Sequence, residues 1–273
     1  MPSGKRDSVS AYLVLSIAAL LILAPYALSV LTSLKTPQQY FTRPPLDFPD
    51  PATTANYTAL GHAGFGRAAL VTALVVAFLV LGQIVFSAMA AFAFAHLRFR
   101  GRDALFWMYL ATLMVPPVTT VMPWYLIMGE LGLRGTFWAL VLPYVLGSPY
   151  AVYLLRENFR QIPEELITAA RLDGASAFDV FYHVILPVSR PILATLALIT
   201  VVANWNGFLW PLIATSGPKW QVLSVATANL QSREVGNWTL VTAATTVAIL
   251  PLLVCFILAG RHIVRSIALT GLK

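Results

Sequence analysis

Apolar residues run along this chain in long blocks that no acidic or basic residue interrupts. Roughly 18 residues is the least that crosses a bilayer as a helix. Six blocks reach that length: Ser8–Leu34, Ala68–Leu97, Ala104–Gly129, Gly135–Leu155, Pro191–Pro218 and Val235–Gly260. Pro51–Gly66 and Trp220–Ser232 come next and are shorter and more polar. Lipid offers no hydrogen-bond partners, so each block is expected to satisfy its own backbone as a helix. The alternation of a membrane β-strand is absent. The pattern predicts an all-α polytopic membrane protein, one domain over 1–273. Its six transmembrane helices are expected near 8–34, 68–97, 104–129, 135–155, 191–213 and 238–260.

One polar stretch is too long to be a mere connector. Over 161–187, Pro163 suits a first helical turn, and Glu164 and Glu165 follow where the helix dipole favours acids. Leu166, Ala169, Ala170 and Asp173 recur at helical spacing, and Gly174 marks a stop or a sharp bend. A second short helix starts near Ser176, with Phe178, Phe181, Val184 and Ile185 on one side, and Pro187 closes it. This reads as a helix–Gly–helix hairpin outside the bilayer with an exposed apolar face. Such a face lies on lipid or docks into a groove of another protein. Lipid-surface helices are rich in Lys and Arg, whereas this one sets Glu164, Glu165, Asp173 and Asp179 against Arg171. Docking to a protein is the favoured reading.

Composition supports the membrane assignment. The chain is 58% hydrophobic and 11% charged, against about 25% charged in soluble domains. The net charge of +7 invites a nucleic-acid role, but the basic residues are spread over the loops. Twelve of the 18 fall on the side of the N-terminus: Lys5, Arg6, Arg98, Arg100, Arg102, Arg156, Arg160, Arg171, Arg190, Arg261, Arg265 and Lys273. That bias follows the positive-inside rule, puts both termini in the cytoplasm and leaves no nucleic-acid patch. Cys255 is the only cysteine, so no intrachain disulfide forms. The first apolar run is longer than a signal-peptide core and is read as an uncleaved span. His62, His96, His183 and His262 are scattered, and no metal-ligand cluster is expected.

Polar and conformationally awkward residues inside the apolar blocks narrow the possibilities. The proline-rich loop 36–67 is expected to be partly extended, with a short helix near Asn56–Leu60. Ser87, Ala91 and Ala95 stand at four-residue spacing, which lets helices approach closely. Pro116, Pro117 and Pro123 must kink or break the third block. That makes it either an irregular structural helix or part of a pathway wall. In the fifth block, Asn204, Trp205, Asn206 and Trp210 allow two readings. They are interhelical hydrogen bonders with interfacial rings, or amides and aromatic faces that grip a sugar or polyol.

The stretch "IPEELITAARLDGASAFDVFYHVILP" resembles the cytoplasmic loop of ATP-binding-cassette importer permeases, most closely the carbohydrate-uptake class that includes the maltose permease. That family's pattern is roughly Ile-Pro-x-Glu-Leu-x-Glu-Ala-Ala-Arg-x-Asp-Gly-Ala, then about nine residues and Leu-Pro. Ile162, Pro163, Glu165, Leu166, Ala169, Ala170, Arg171, Asp173, Gly174, Ala175, Leu186 and Pro187 fit it. "LTSLKTP", "LMVPPVTTVMPWYLIMGELGLRGT" and "WNGFLWPL" resemble further family segments in the same order, so the likeness covers nearly the whole chain. One position departs: the glutamate before Ala-Ala is Thr168, which cannot form an ion pair with the ATPase.

The resemblance implies a type I importer permease in a bacterial cytoplasmic membrane, itself not an enzyme. It implies a second homologous permease, two ATPase subunits that hold ATP and Mg, an extracytoplasmic binding protein and a sugar or polyol substrate. It places ATPase coupling on Glu164, Glu165, Thr168, Ala169, Ala170, Arg171, Asp173, Gly174, Phe178 and Phe181. The absence of a G-x-x-x-x-G-K-[ST] loop agrees with ATP being hydrolysed elsewhere. The rival readings are an importer of a non-sugar solute and a stand-alone secondary carrier.

Overall fold

The computed structural model describes the backbone of residues 4–234 and 236–270 and the side chains of 10–234 and 236–257. Fifteen α-helices are found among them, and no strand. In chain order they are α1 (Gly4–Ser33), α2 (Pro37–Thr42), α3 (Ala55–His62), α4 (Phe65–His96) and α5 (Arg102–Ala111). Next come α6 (Pro117–Glu130), α7 (Phe137–Val141), α8 (Pro149–Phe159), α9 (Glu164–Leu172) and α10 (Ala177–Val180). The last are α11 (Leu186–Val188), α12 (Arg190–Trp205), α13 (Leu209–Ala214), α14 (Leu223–Arg233) and α15 (Trp238–Thr270).

Among the described residues, three segments are long and apolar enough to cross a membrane: Ser10–Ser33, Phe65–His96 and Trp238–Ile257, with mean hydropathies of 2.4, 2.6 and 2.4. Two bent pairs qualify when each is taken as one span. Arg102–Met114 and Pro117–Glu130 meet at 100°, and Ala177–Val188 and Arg190–Trp205 at 78°. The block Gly135–Leu155 is not one helix. Pro143, Gly147 and Pro149 divide it into α7, a run of turns and α8. Gly147 has φ +116°, which no helix accommodates. The third block breaks at Val115–Pro116 and the fifth at Asn206–Phe208. An uninterrupted run of apolar residues therefore marks burial in lipid or protein without marking a continuous helix.

The chain divides into two compact units. The first comprises Met1–Ala69 and Val225–Pro251. Its organising feature is Lys35, 1% exposed although charged. Its Nζ donates to the carbonyls of Pro44 and Pro45 at 3.2 and 3.0 Å. Asn56 donates to the carbonyls of Ser33 and Lys35 and accepts from the Thr239 hydroxyl. The loop expected to be partly extended is thus folded back on Lys35 and Asn56. Helix α3 is where sequence spacing put it. Helix α2 was not anticipated, although its capping box was visible: Thr36 and Gln39 bond reciprocally around a proline at the first turn.

The second unit comprises Leu70–Ser224 and Leu252–Lys273. Its core gathers Ala88, Ala91 and Phe92 of α4 with Val152, Leu155 and Phe159 of α8. Ser87 and Ala91 are fully buried, as small residues at a close contact should be. Ser87 Oγ accepts from the Ser148 amide at 3.1 Å. A Cβ on Gly82 would lie 2.7 Å from the Val145 carbonyl oxygen, so α4 needs glycine there. Arg156 is nearly buried and ties three elements together. It stacks over the Phe106 ring, pairs with Glu157 at 2.8 Å and reaches the Phe94 carbonyl.

Candidate functional site

Two features of the second unit carry the functional questions: a partly open cavity and the hairpin α9–α10. The cavity has a volume of about 260 Å³. Thr72, Leu79 and Gln83 of α4, Pro117 and Val121 of α6, and the α12–α13 break form its walls. It exists because two apolar blocks break on either side of it. At the second break, the amides of Asn206 and Gly207 bond back to Val202 and Asn204, and Ser224 Oγ donates to the Gly207 carbonyl at 2.6 Å. The backbone groups released by the break are thereby partly satisfied by protein, as an apolar environment requires.

The four residues singled out in this block separate in space. Asn204 and Trp210 line the cavity, whereas Trp205 and Asn206 do not. The Asn204 side chain donates to the Thr200 carbonyl at 2.8 Å, which leaves its oxygen and second N–H for other partners. Asn206 is exposed and donates to the Val202 carbonyl at 2.9 Å. Trp210 is buried, and its indole N–H donates to the Ala139 carbonyl at 2.9 Å. Its ring meets Tyr144 edge-on, with centroids 6.3 Å apart. Trp210 therefore supplies an aromatic wall, and its polar handle is already engaged. Gln83 and Tyr144 also face the cavity and were not picked out from sequence. Gln83, an amide in the middle of a long apolar run, was the signal available.

The hairpin is built from well-defined end signals. Helix α9 starts directly after Pro163, with Glu164 and Glu165 in its first turn and Arg171 in its last. Asp173 caps it and Gly174 follows at φ +87°. The Gly174 amide bonds to the Arg171 carbonyl, and the Ala175 amide to that of Ala170. That pair of bonds is a Schellman motif. Ser176 and Asp179 then form a reciprocal capping box that starts α10. The hydroxyl and amide of Ser176 hold the Asp179 carboxyl below its usual pKa.

The hairpin's apolar side is divided in a way that helical spacing did not anticipate. Between α10 and α11 the chain forms a wide π-turn over Phe181–Ile185. Phe181 and Ile185 point into the core with Ile167 and Val180. Phe178, Tyr182, Leu166 and Leu172 stay exposed, and the Phe178 and Tyr182 rings stack at 10°. Phe181, expected among the coupling residues, is thus packed inside its own subunit. A wide turn holds more residues per turn than 3.6, so the register read from a regular helix fails there. Glu164, Glu165, Thr168, Ala169, Arg171, Asp173 and Gly174 are all exposed, and Ala170 is half-buried.

Residues 83–269 match the family described as the binding-protein-dependent transport system inner membrane component. The chain belongs to this family. It is similar to the sn-glycerol-3-phosphate transport system permease protein UgpE of Yersinia pestis bv. Antiqua (strain Antiqua), 32% identical over 94% of both chains. It is also similar to the arabinooligosaccharides transport system permease protein AraQ of Halalkalibacterium halodurans, 31% identical over 71% of this chain and 70% of that one. A solved bacterial ABC transporter involved in the import of the acidic polysaccharide alginate contains a chain of the same fold. The TM-score is 0.82 at 21% identity, covering 96% of this chain and 98% of that one. The protein is a membrane permease subunit, and its hairpin and most of the cavity lining, from Gln83 onward, lie within the part that matches the family.

Proposed function

We propose that this permease imports sugars or related polyols, driven by a separate ATPase that the hairpin α9–α10 engages. The observation that carries the reading is the hairpin's exposed side. Leu166, Leu172, Phe178 and Tyr182 remain open to solvent in a well-capped element whose other side is packed into the core. Exposed apolar residues clustered in this way mark a protein docking surface. Thr168 lies among them, exposed, where the family has a glutamate. Docking therefore rests on apolar packing and hydrogen bonds, without the usual ion pair.

In this reading six spans cross a bacterial inner membrane with both termini and the hairpin in the cytoplasm. The ATPase pair holds ATP and Mg, a second permease completes the pathway, and an extracytoplasmic binding protein delivers the solute. ATP shifts the protein between outward- and inward-open states only by its differential affinity for the two. The hairpin transmits that difference because Gly174 and the two caps make it stiff, and because Phe181 and Ile185 root it in the core.

The cavity beside Asn204 is the proposed solute position. Its walls are mostly apolar with a few polar groups, the usual make-up of a small-molecule site. At about 260 Å³ it lies just below the range of roughly 300 Å³ and upward typical of ligand pockets. One sugar ring or a short polyol suits it better than an oligosaccharide. The names of the relatives, a glycerol phosphate and an arabino-oligosaccharide permease, support the same solute class. Reconstitution with co-purified partners tests the reading: ATP-dependent uptake of a sugar or polyol is expected. Uptake that continues without any ATPase subunit would instead establish a stand-alone carrier.

A further inference from the structure

A second recess, of about 450 Å³, opens at the turn that joins α4 to α5. Arg98, Phe99, Gly101, Arg102, Asp103 and Ala104 line it. Arg100 lies in the same turn. Arg102 is committed: its Nε pairs with Asp103 at 3.1 Å, and a terminal nitrogen reaches the Leu97 carbonyl. Asp103 is shared further with Arg156, at 3.8 Å. Among the described residues, Arg98 and Arg100 meet no carboxylate, and both are exposed. Three guanidinium groups thus crowd one turn against a single carboxylate that a fourth arginine also uses.

The surroundings of that excess charge are apolar. The turn directly follows α4, whose mean hydropathy is 2.6. Phe99 is an exposed ring lining the recess, and Leu105 and Met108, one helical turn apart on the adjoining α5, are exposed. A water-facing turn would not need these groups, and a turn wholly in hydrocarbon would not tolerate the arginines. The combination fits a molecule with an anionic head and an apolar tail. Guanidinium groups bind phosphate oxygens through paired N–H donors. Arginine clusters just outside a span attract acidic headgroups.

We propose that the turn Leu97–Ala104 binds the phosphate headgroup of an anionic phospholipid, whose acyl chains lie against Phe99, Leu105 and Met108. The proposal rests on the membrane reading of α4 and is independent of which solute is carried. The apolar residues favour lipid over an acidic surface of a partner protein.

Native mass spectrometry of the assembled transporter, given equal phosphatidylglycerol and phosphatidylcholine, tests it. The wild type is expected to retain phosphatidylglycerol in several-fold excess. In Arg98→Gln/Arg100→Gln that excess should disappear, the ratio falling to near one, since each juxtamembrane arginine contributes roughly fivefold. Both replaced residues are exposed and without carboxylate partners, so the variant keeps the core contacts of Arg102 and Arg156. Arg43→Gln, an exposed loop position far along the chain, should leave the excess unchanged. An equal ratio in wild type and double variant overturns the proposal. So does displacement of the lipid by millimolar inorganic phosphate, which would assign the site to free phosphate. Loss of the ATPase subunits from the double variant with an unchanged lipid ratio also overturns it, in favour of a protein contact. ATP-driven uptake by the same wild-type sample reports on the transport reading separately.

Discussion

The ring of Phe181 lies 5.2 Å from that of Phe92, tilted by 46°, so the second arm of the hairpin is packed onto α4. Three residues earlier the Phe178 ring, 6.4 Å from that of Phe181, stays exposed and is stacked on Tyr182. One short segment thus carries a root and a docking face. Truncating the two rings should have opposite signatures. Phe181→Ala should destabilise the fold by about 3 kcal/mol, the lower end for a buried Phe. Phe178→Ala should leave thermal unfolding within about 0.5 kcal/mol and instead uncouple ATP hydrolysis from solute uptake. Unfolding midpoints and ATPase stimulation, measured on both variants, separate the roles. Equal loss of stability in both would place Phe178 in the core as well.

Two glycines should differ in the same kind of test. Gly174 has φ +87° and open space around its missing Cβ. Gly174→Ala therefore meets only backbone strain, expected at about 1 kcal/mol. Gly82 is helical, but an added Cβ would collide with Val145 and its carbonyl. Overpacking of that kind costs about 1–3 kcal/mol, and α4 would have to move away from the turn before α8. Gly82→Ala should therefore lower the yield of folded protein more than Gly174→Ala, while Gly174→Ala weakens coupling more than its stability cost suggests.

Much of the hairpin was legible in the linear pattern because end signals are local. Pro163, the paired glutamates, Gly174 and Ser176 each act within one turn of themselves. The breaks at Gly147 and at Asn206–Phe208 were not legible, because hydropathy reports burial and is blind to continuity. Nor was the burial of Phe181, since the ring it packs against, Phe92 of α4, is far away in sequence. The bond from the Trp210 indole to Ala139 spans 71 positions. No spacing rule reaches that far, so the partner of the Trp210 N–H could not be read from the sequence, which left its ring open to either an interhelical or a solute-facing role.

The separation of the two asparagines makes the cavity testable. Asn204 lines it and Asn206 lies outside it, on an exposed surface. Asn204→Ala removes an amide that faces the proposed solute. It should raise the half-saturating solute concentration by about five- to tenfold, the value of a typical hydrogen bond to a neutral group. Asn206→Ala should leave uptake within twofold of wild type. Initial uptake rates over a solute series, in reconstituted complex, check both. If the two variants behave alike, the cavity is not the solute position.

Lys35 gives the last prediction, and it concerns the first unit. A buried ammonium is costly unless its donors are paired, and here two carbonyls at the end of the Pro44–Pro45 step accept from it. No carboxylate is among those partners, so the lysine serves as a polar clamp on the loop's backbone. Lys35→Met keeps most of the stem's apolar contact and removes the three N–H donors. The carbonyls of Pro44 and Pro45 then lose their partner, at a cost of about 1–3 kcal/mol. The Asn56 bonds to Ser33 and Lys35 use main-chain oxygens and survive the change, so the damage should stay local. Limited proteolysis should therefore cut within 43–54 well before the rest of the chain in the variant, and not in the wild type. Lys35→Arg should restore only part of the protection, because a planar guanidinium does not fit two adjacent carbonyls aimed at one point. Protection unchanged in Lys35→Met would mean that the Asn56 bonds and the bond from the Gln39 side chain to the Pro51 carbonyl, at 3.1 Å, alone hold the loop.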